Sequence, residues 1–228
     1  MDIMTKYIRS QVLKSDPKMA KEFEKRINEG LSLSNRGDQY KESNSLKESK
    51  ECYEQALEIF QSVSDKQNEG DCLNKIGNIY LELGDSERAI NNIEKSLDIA
   101  RSLSRQSLSL KELAGVNHDK ALNAKIAYDK HKVASRLFDL GDAFYNINQV
   151  EKTIEYYEES LSIYNELELS KQQTAHIFKL GCMYSLLGDK EKSIKILQEA
   201  LSLSIETGDR SLESLINKAL MGIKRIHN

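Results

Sequence analysis

Four segments of this chain repeat one residue pattern at fixed distances, and this repetition constrains the fold more than any other feature. In each segment a glycine is followed three residues later by an aromatic residue and sixteen residues later by an eight-residue block. The glycines and their aromatic partners are Gly37 with Tyr40, Gly77 with Tyr80, Gly141 with Phe144, and Gly181 with Tyr184. The blocks are Tyr53–Phe60, Ile93–Ala100, Tyr157–Tyr164 and Leu197–Ser204. Agreement of this kind indicates a repeat protein.

The second repeat shows why the pattern predicts two packed helices. Its first half places residues at i, i+3, i+4 and i+7, so they form one stripe of a helix: Leu73, Ile76, Gly77 and Tyr80. Gly84 and Asp85 then supply a helix C′ residue and an N-cap. The second half presents Ala89, Ile93 and Ser96. Because Gly77 lacks a side chain, we expect the second helix to approach the first closely there.

These residues resemble the tetratricopeptide pattern, in which W-x₂-L-G-x₂-Y is followed by A-x₃-F. The resemblance runs from about Gly30 to Gly208, although Arg36 stands where a leucine is expected. It implies an all-α, right-handed superhelical solenoid of antiparallel helix pairs, with about four repeats and a C-terminal capping helix. The proline that usually ends a repeat is absent, which predicts looser or longer connecting turns.

The distance between repeats adds two expectations. Gly37 to Gly77 is 40 residues and Gly141 to Gly181 is again 40, against about 34 for the basic tetratricopeptide unit. Such steps resemble those of Leu-Gly-Asn repeat adaptors, kinesin light chains and some bacterial peptide-sensing regulators. Gly77 to Gly141 is 64 residues, so 24 are inserted. The insert predicts two helical parts interrupted near 115–119, the second continuing into the third repeat.

The chain therefore divides into five predicted parts. They are an N-terminal helical segment at 1–29, two repeats at 30–103, a helical insert at 104–133, two repeats at 134–208 and a capping helix at 209–228. Within the first part, a short helix over Ile3 to Leu13 precedes a helix that starts at Asp16-Pro17. A capping helix is expected because the last repeat of a solenoid otherwise exposes an apolar face.

Composition argues against several classes of partner and compartment. The chain has 33 basic and 36 acidic side chains and a net charge of -3, without the basic excess typical of nucleic-acid binders. No run approaches the roughly 18 apolar residues that cross a membrane, and the N-terminus does not read as a secretory signal. The three cysteines form no C-x-x-C pair. We therefore expect free thiols in the cytoplasm, with the nucleus as the alternative.

The sequence also lacks signatures of catalysis or metal binding. Its four histidines are not at metal-ligand spacing. Neither a phosphate loop nor the H-E-x-x-H or G-x-S-x-G motif occurs. Each cysteine falls inside a predicted helix, where a buried thiol is the ordinary interpretation. The predictions are no enzyme, no cofactor and no metal.

The resemblance implies that first helices line the inner curve, where one stripe of each remains for a ligand. We call its nine predicted members the first-helix stripe: Asp71, Asn74, Asn78, Leu81, Phe138, Asp142, Tyr145, Phe178 and Cys182. Amides suit an extended peptide backbone, and the rings supply apolar contact area. Asp38, Asp71 and Asp142 occur where family members that bind acidic tails use basic residues. The hypothesis is that the ligand is a neutral or mildly basic peptide. The alternative for each ring is that it packs against the closing helix or the insert and does not contact a ligand.

The leading interpretation is thus a non-enzymatic adaptor that binds a peptide segment of a partner protein. A self-assembling subunit, in which the insert at 104–133 joins copies into a homo-oligomer, is one alternative. A regulator whose insert responds to a bound peptide is another. The fold and the repeat pattern do not distinguish these three interpretations, because the shape of a repeat protein does not by itself identify its ligand.

Overall fold

The computed structural model describes residues 16–115, 119–168 and 170–225, and within these ranges the secondary structure consists of nine α-helices. The helices are α1 Pro17–Glu42, α2 Leu46–Ser62, α3 Lys66–Glu82, α4 Ser86–Ala114, α5 Lys120–Asn146, α6 Val150–Glu166, α7 Ser170–Leu187, α8 Lys190–Thr207 and α9 Arg210–Arg225. The predicted all-α fold of tetratricopeptide-type helix pairs is confirmed. The helix predicted over Ile3 to Leu13 lies outside the described residues.

The chain forms two compact units, Met1–Asp129 and Lys130–Asn228. Each unit contains two repeats, and each repeat pairs a first helix with a second helix. The first helices are α1, α3, α5 and α7, and the second helices are α2, α4, α6 and α8. The closing helix α9 packs on α8 and buries Ile216, Leu220 and Ile223 in the core of the second unit. The five-part domain division remains a prediction.

Aspartates start several helices, because a carboxylate accepts hydrogen bonds from the unpaired amides of the first turn. Asp16 Oδ1 lies 2.9 Å from the amide nitrogen of Lys18, and Pro17 follows at the first helical position, as predicted. The side chains of Asp65, Asp85 and Asp189 cap α3, α4 and α8 in the same way. The starts of these helices are therefore encoded in local sequence.

The turns are short, both within repeats and between them, so the expectation of looser or longer connections is wrong. Helices α2 and α3 contain 17 residues each, and three-residue turns separate α1 from α2, α2 from α3 and α3 from α4. The turns contain residues of positive φ twenty positions apart, namely Asn44, Ser64 and Gly84 in the first unit and Asn148, Glu168 and Gly188 in the second. The longer step between repeats therefore lengthens helices, not loops.

The insert replaces a turn with an extended helical hairpin. Continuing the twenty-residue step from Gly84 and back from Asn148 would place turns at 104 and 128, but both positions lie inside helices. Helix α4 continues to Ala114, where Gly115 has φ 61°, and α5 then begins after Asp119. Asp119 Oδ1 accepts hydrogen bonds from the amides of Ala121 and Leu122. The predicted interruption, and the continuation into the third repeat, are confirmed.

Polar contacts tie the two arms of the hairpin together in the first unit. Ser107 on α4 and Asp129 on α5 are both 2% exposed, and the serine hydroxyl donates to the carboxylate. Lys125 forms an ion pair with the same carboxylate. Burying a carboxylate is costly unless it is paired and hydrogen-bonded, and this one is both.

Close contact at the repeat glycines joins the two helices of each repeat. A Cβ atom added to Gly77 would lie 2.6 Å from Cγ1 of Ile93, which is fully buried. At Gly37 and Gly141 the nearest atoms belong to the Tyr53 and Tyr157 rings, at 2.4 Å and 2.5 Å. The sixteen-residue offset in the sequence is thus the offset between a glycine and the side chain that packs on it.

We predict that Gly77→Ala destabilises the protein by about 1–3 kcal/mol, because the added methyl group overpacks the contact with Ile93. Gly222→Ala is the matched control, since a Cβ there has no neighbour within 4 Å and alanine favours a helix by up to about 1 kcal/mol. Urea unfolding followed by circular dichroism measures both changes. Equal stability of the two variants would contradict the proposed close contact.

Candidate functional site

A polar cluster of three side chains in the first unit joins the first helices α1 and α3 to the second helix α2. The Tyr53 hydroxyl donates to Asp38 Oδ1 at 2.7 Å. Lys75 Nζ lies 2.8 Å from Asp38 Oδ2 and 5.1 Å from the centroid of the Tyr53 ring. Burial, assisted by the hydrogen bond to Asp38, raises the pKa of Tyr53 well above its usual value. Tyr53 therefore stays protonated and remains a donor at neutral pH.

The second unit contains the same cluster, with each member 104 residues further along the chain. The Tyr157 hydroxyl donates to Asp142, and Lys179 Nζ lies 2.8 Å from Asp142 Oδ2. Burial, followed by the charge of Asp142, raises the pKa of Tyr157 strongly. The second and fourth repeats instead place Ile93 and Leu197 at the tyrosine position. Polar and apolar repeats thus alternate, and two repeats form one module that occurs twice.

The clusters change the charge expected on the first-helix stripe. The sequence alone presents Asp38 and Asp142 as negative groups facing a ligand, but a lysine from the following first helix pairs with each carboxylate. The four side chains are between 31% and 45% exposed, so each pair contributes only about 0–1 kcal/mol to stability. Their main effect is to neutralise Asp38 and Asp142, two of the three aspartates that suggested a basic ligand.

Two of the nine predicted stripe residues are buried and cannot offer contact area to a ligand. Phe138 is 8% exposed and stacks between the rings of Tyr157 and His176, with centroids 4.6 Å and 3.4 Å away. Its ring packs in the core of the second unit. Asn74 is 7% exposed on α3. The structure removes both residues from the candidate surface.

The other seven residues retain accessible area, and the structure places them in two groups. In the first unit, α3 carries three half-buried side chains, Asp71, Asn78 and Leu81. In the second unit, α5 carries Asp142 and Tyr145, and α7 carries Phe178 and Cys182. Tyr145 is the most accessible, at 45%, whereas Phe178 and Cys182 pack partly against the core. These seven residues form the revised first-helix stripe.

A half-buried histidine in the second unit is not predicted by the sequence analysis. His176 stacks on Phe138 and lies 5.3 Å from the ring centroid of Tyr164, and no described residue hydrogen-bonds to its Nδ1 atom. Burial lowers the pKa of His176 to about 4, and the nearby Lys179 charge acts in the same direction. Alignment of the two units at the 104-residue offset places His176 opposite Cys72, which is 1% exposed. This alignment would have indicated that the His176 side chain is largely removed from solvent.

The described part of the chain shows neither a metal-ligand cluster nor a membrane-spanning helix. There, no group of three or more His, Cys, Asp or Glu side chains converges as metal ligands do. None of its helices has both the length and the apolar character needed to cross a bilayer. The three cysteines are free thiols, of which Cys52 and Cys72 are buried and Cys182 is half-buried.

Comparison with family profiles identifies two regions of the chain. Residues 29–102, which span the first two repeats, match the profile of the tetratricopeptide repeat. Residues 114–211 match a family described as "Uncharacterized protein conserved in bacteria (DUF2225)". The first match shows that residues 29–102 are tetratricopeptide repeats, and the helix pairs of the second unit have the same repeat architecture.

The individual proteins that match this chain share little sequence identity with it. Tonsoku-like protein of Danio rerio is 22% identical over 175 residues, which cover 74% of this chain but only 12% of that protein. The apo form of RapI has a TM-score of 0.69 at 15% identity, covering 86% of this chain and 63% of RapI. Aspartyl phosphate phosphatase F from Bacillus subtilis has a TM-score of 0.69 at 16% identity, covering 84% and 44%.

A third structural neighbour comes from a different kind of protein. It is the putative kinesin light chain with nearly identical TPR-like repeats from Podosopora anserina, with a TM-score of 0.56 at 13% identity, covering 85% of this chain and 93% of that one. The resemblance in repeat style to kinesin light chains therefore extends to the fold. At such identities these structures share only the fold with this chain, which spans less than two-thirds of the first two structures.

We predict that lowering the pH from 6.5 towards 4 destabilises the folded protein through His176. The unfolded histidine takes up a proton near its ordinary pKa of 6.5, whereas the folded one resists protonation down to about 4, so stability is lost across this interval. The loss reaches about 3 kcal/mol at most. Urea unfolding at pH 7 and pH 4.5 should show a smaller loss for His176→Phe, which keeps the ring stack. Equal losses in both proteins would contradict this role.

We also predict that Cys182 reacts with iodoacetamide before the other two thiols. Cys52 and Cys72 are 6% and 1% exposed, and burial raises the pKa of Cys72 to about 12, so little thiolate forms there. Burial also raises the pKa of Cys182, and its reaction should be slower than that of a free thiol. Peptide mass mapping after timed alkylation identifies the order. Protein unfolded in urea, where all three thiols should react, is the control.

Proposed function

We propose that this protein is a non-catalytic scaffold that binds peptide segments of partner proteins on the revised first-helix stripe of each unit, taken separately. Tetratricopeptide repeats are a protein-interaction fold, because stacked helix pairs present extended binding surfaces on a rigid framework. The observation that carries the proposal is the accessible stripe itself. Asn78 and Leu81 in the first unit, and Tyr145 and Phe178 in the second, offer amide, aliphatic and aromatic groups on first helices.

The internal pairing of charges narrows the chemistry of the ligand. Because Lys75 and Lys179 neutralise Asp38 and Asp142, the polar clusters present paired charges to a ligand. A peptide rich in amide and apolar side chains suits such a surface, since amides can donate and accept beside both charges. This charge pairing supports a neutral peptide over a mildly basic one.

The structural neighbours do not change the proposed class. One of them is called an aspartyl phosphate phosphatase, but a likeness of fold at 16% identity carries no activity to this chain. The free thiols at the three cysteine positions fit the proposed cytoplasmic location. Homo-oligomerisation through the insert and a peptide-responsive insert remain alternative predictions.

Affinity purification from the native extract, read by quantitative mass spectrometry, tests the scaffold proposal. We expect Asn78→Ala/Tyr145→Ala to lose at least one partner that the wild-type protein recovers, because both side chains are accessible and supply stripe contacts. Phe138 is unsuitable as a target, since its truncation would disturb the aromatic stack. Met221→Ala, which alters an exposed side chain on α9, is the control and should recover the wild-type partners.

A partner found in this way should then bind the purified wild-type protein directly, through a peptide of its own sequence. The peptide should also slow the alkylation of Cys182, which belongs to the stripe. Identical partner sets for the wild-type protein and the double variant would refute binding along the stripe.

A further inference from the structure

A cleft on the second unit lies between the second helices α6 and α8, over α7, and none of its lining residues belongs to the first-helix stripe. It encloses about 320 Å³, at the lower end of the range of ligand sites, roughly 300–1,000 Å³. Its apolar lining consists of Leu161, Ile177, Leu180 and Ile196, and its polar lining of Glu158, Ser162, Asn165 and Glu199. Leu161, Ile177 and Leu180 are between 4% and 8% exposed, whereas the four polar side chains are exposed. The cleft thus has an apolar floor and a polar rim.

The charged side chains on the rim of the cleft are all acidic. Two carboxylates, Glu158 on α6 and Glu199 on α8, line the cleft, and none of the described residues in its lining is cationic. Glu158 accepts a hydrogen bond from the Tyr184 hydroxyl and pairs with Lys192 Nζ at 3.1 Å, which fixes its position and offsets its charge. Among the described residues Glu199 forms no salt bridge. Its charge therefore remains available to a partner.

The first unit provides an internal comparison, because each residue of the cleft has a counterpart 104 residues earlier. Glu54, Leu57, Leu73 and Ile76 preserve the carboxylate and the floor. The counterparts of Ile196 and Glu199 are Asn92 and Lys95, which replace an apolar side chain with an amide and a carboxylate with an ammonium group, while Glu58 stands opposite Ser162. The apolar wall at Ile196 and the carboxylate at Glu199 are therefore particular to the second unit and are not a general consequence of the repeat.

We propose that this cleft is a second docking site, whose occupant is a partner segment with an aliphatic or aromatic side chain next to a lysine or arginine. The apolar floor favours a side chain that leaves water, and burial of apolar surface supplies the attraction. The rim carboxylates favour a cation over an anion, since like charges brought together at an interface are costly. Long basic side chains suit this position because their stems cover apolar surface while their charged ends stay in water.

A random peptide library, displayed on phage and selected on the full-length protein, tests the site even though the partner is unidentified. Selection should be followed by depletion on the variant Glu199→Lys, which gives position 199 the basic residue that the first unit has at position 95. We expect the remaining peptides to carry an apolar side chain within four residues of a basic one. Synthetic copies should bind Glu199→Lys about tenfold more weakly than the wild-type protein at low salt, with a smaller difference at high salt.

Matched variants separate binding in this cleft from binding elsewhere on the protein. Lys95→Glu reverses the charge at the equivalent position of the first unit and should leave peptide affinity unchanged. Asn78→Ala should also leave it unchanged, so that failure of the stripe proposal and failure of this one remain distinguishable. Glu199 is exposed, and its substitution should preserve the unfolding midpoint; Ile196→Asn, with the midpoint measured in parallel, tests the apolar wall.

Three results would overturn the proposal. They are the absence of enriched peptides, enriched peptides without basic residues, and peptides that bind Glu199→Lys as tightly as the wild-type protein. Sedimentation velocity of the protein alone identifies a further possible occupant. Concentration-dependent self-association that Glu199→Lys abolishes would be a fourth such result, because a second copy of this chain would then fill the cleft.

Discussion

The close approach of two helices at a glycine is the contact on which each repeat depends. A glycine on the first helix accommodates the side chain sixteen residues later on the second, at distances that would leave no room for a Cβ atom. Serine hydroxyls reinforce the contact at Gly37 and Gly181, where Ser49 and Ser193 donate to the glycine carbonyl oxygens at 2.8 Å and 2.7 Å. Interiors packed this closely tolerate little added volume, and the same spacing therefore recurs in all four repeats.

Repetition at two levels explains how one fold carries surfaces of different chemistry. Helix pairs repeat every 40 residues within a unit, and the whole two-repeat module recurs after 104 residues. The polar clusters around Asp38 and Asp142 are the same in both modules, whereas other equivalent positions have diverged. His176 replaces a buried cysteine, and Glu199 replaces Lys95 on an exposed face. Residues at packing positions are constrained by the shape of the core. Residues at surface positions are constrained by charge only where another charged side chain is near, so their chemistry can differ between the two modules.

The candidate stripe could be predicted only in part. Helical spacing correctly groups residues on first helices, but it cannot separate those that face solvent from those that enter the core. Phe138 has the spacing of a surface residue, yet the rings of Tyr157 and His176 enclose it. Likewise, Asp142 counts as a negative charge in the sequence, and its pairing with Lys179 depends on a contact between residues 37 positions apart. Local periodicity carries no information about such contacts.

The sequence by itself determined the number of repeats, the helix starts at aspartates, the break near Gly115 and the continuation of the insert into the third repeat. These features follow from local signals, namely caps, glycines and apolar spacing, that act within one or two turns of helix. Only the tertiary structure decided that the long step lengthens helices, that Asp38 and Asp142 are neutralised, and that an acidic cleft opens between α6 and α8. Those properties arise where side chains from three helices meet, and their geometry depends on how the helices pack against one another.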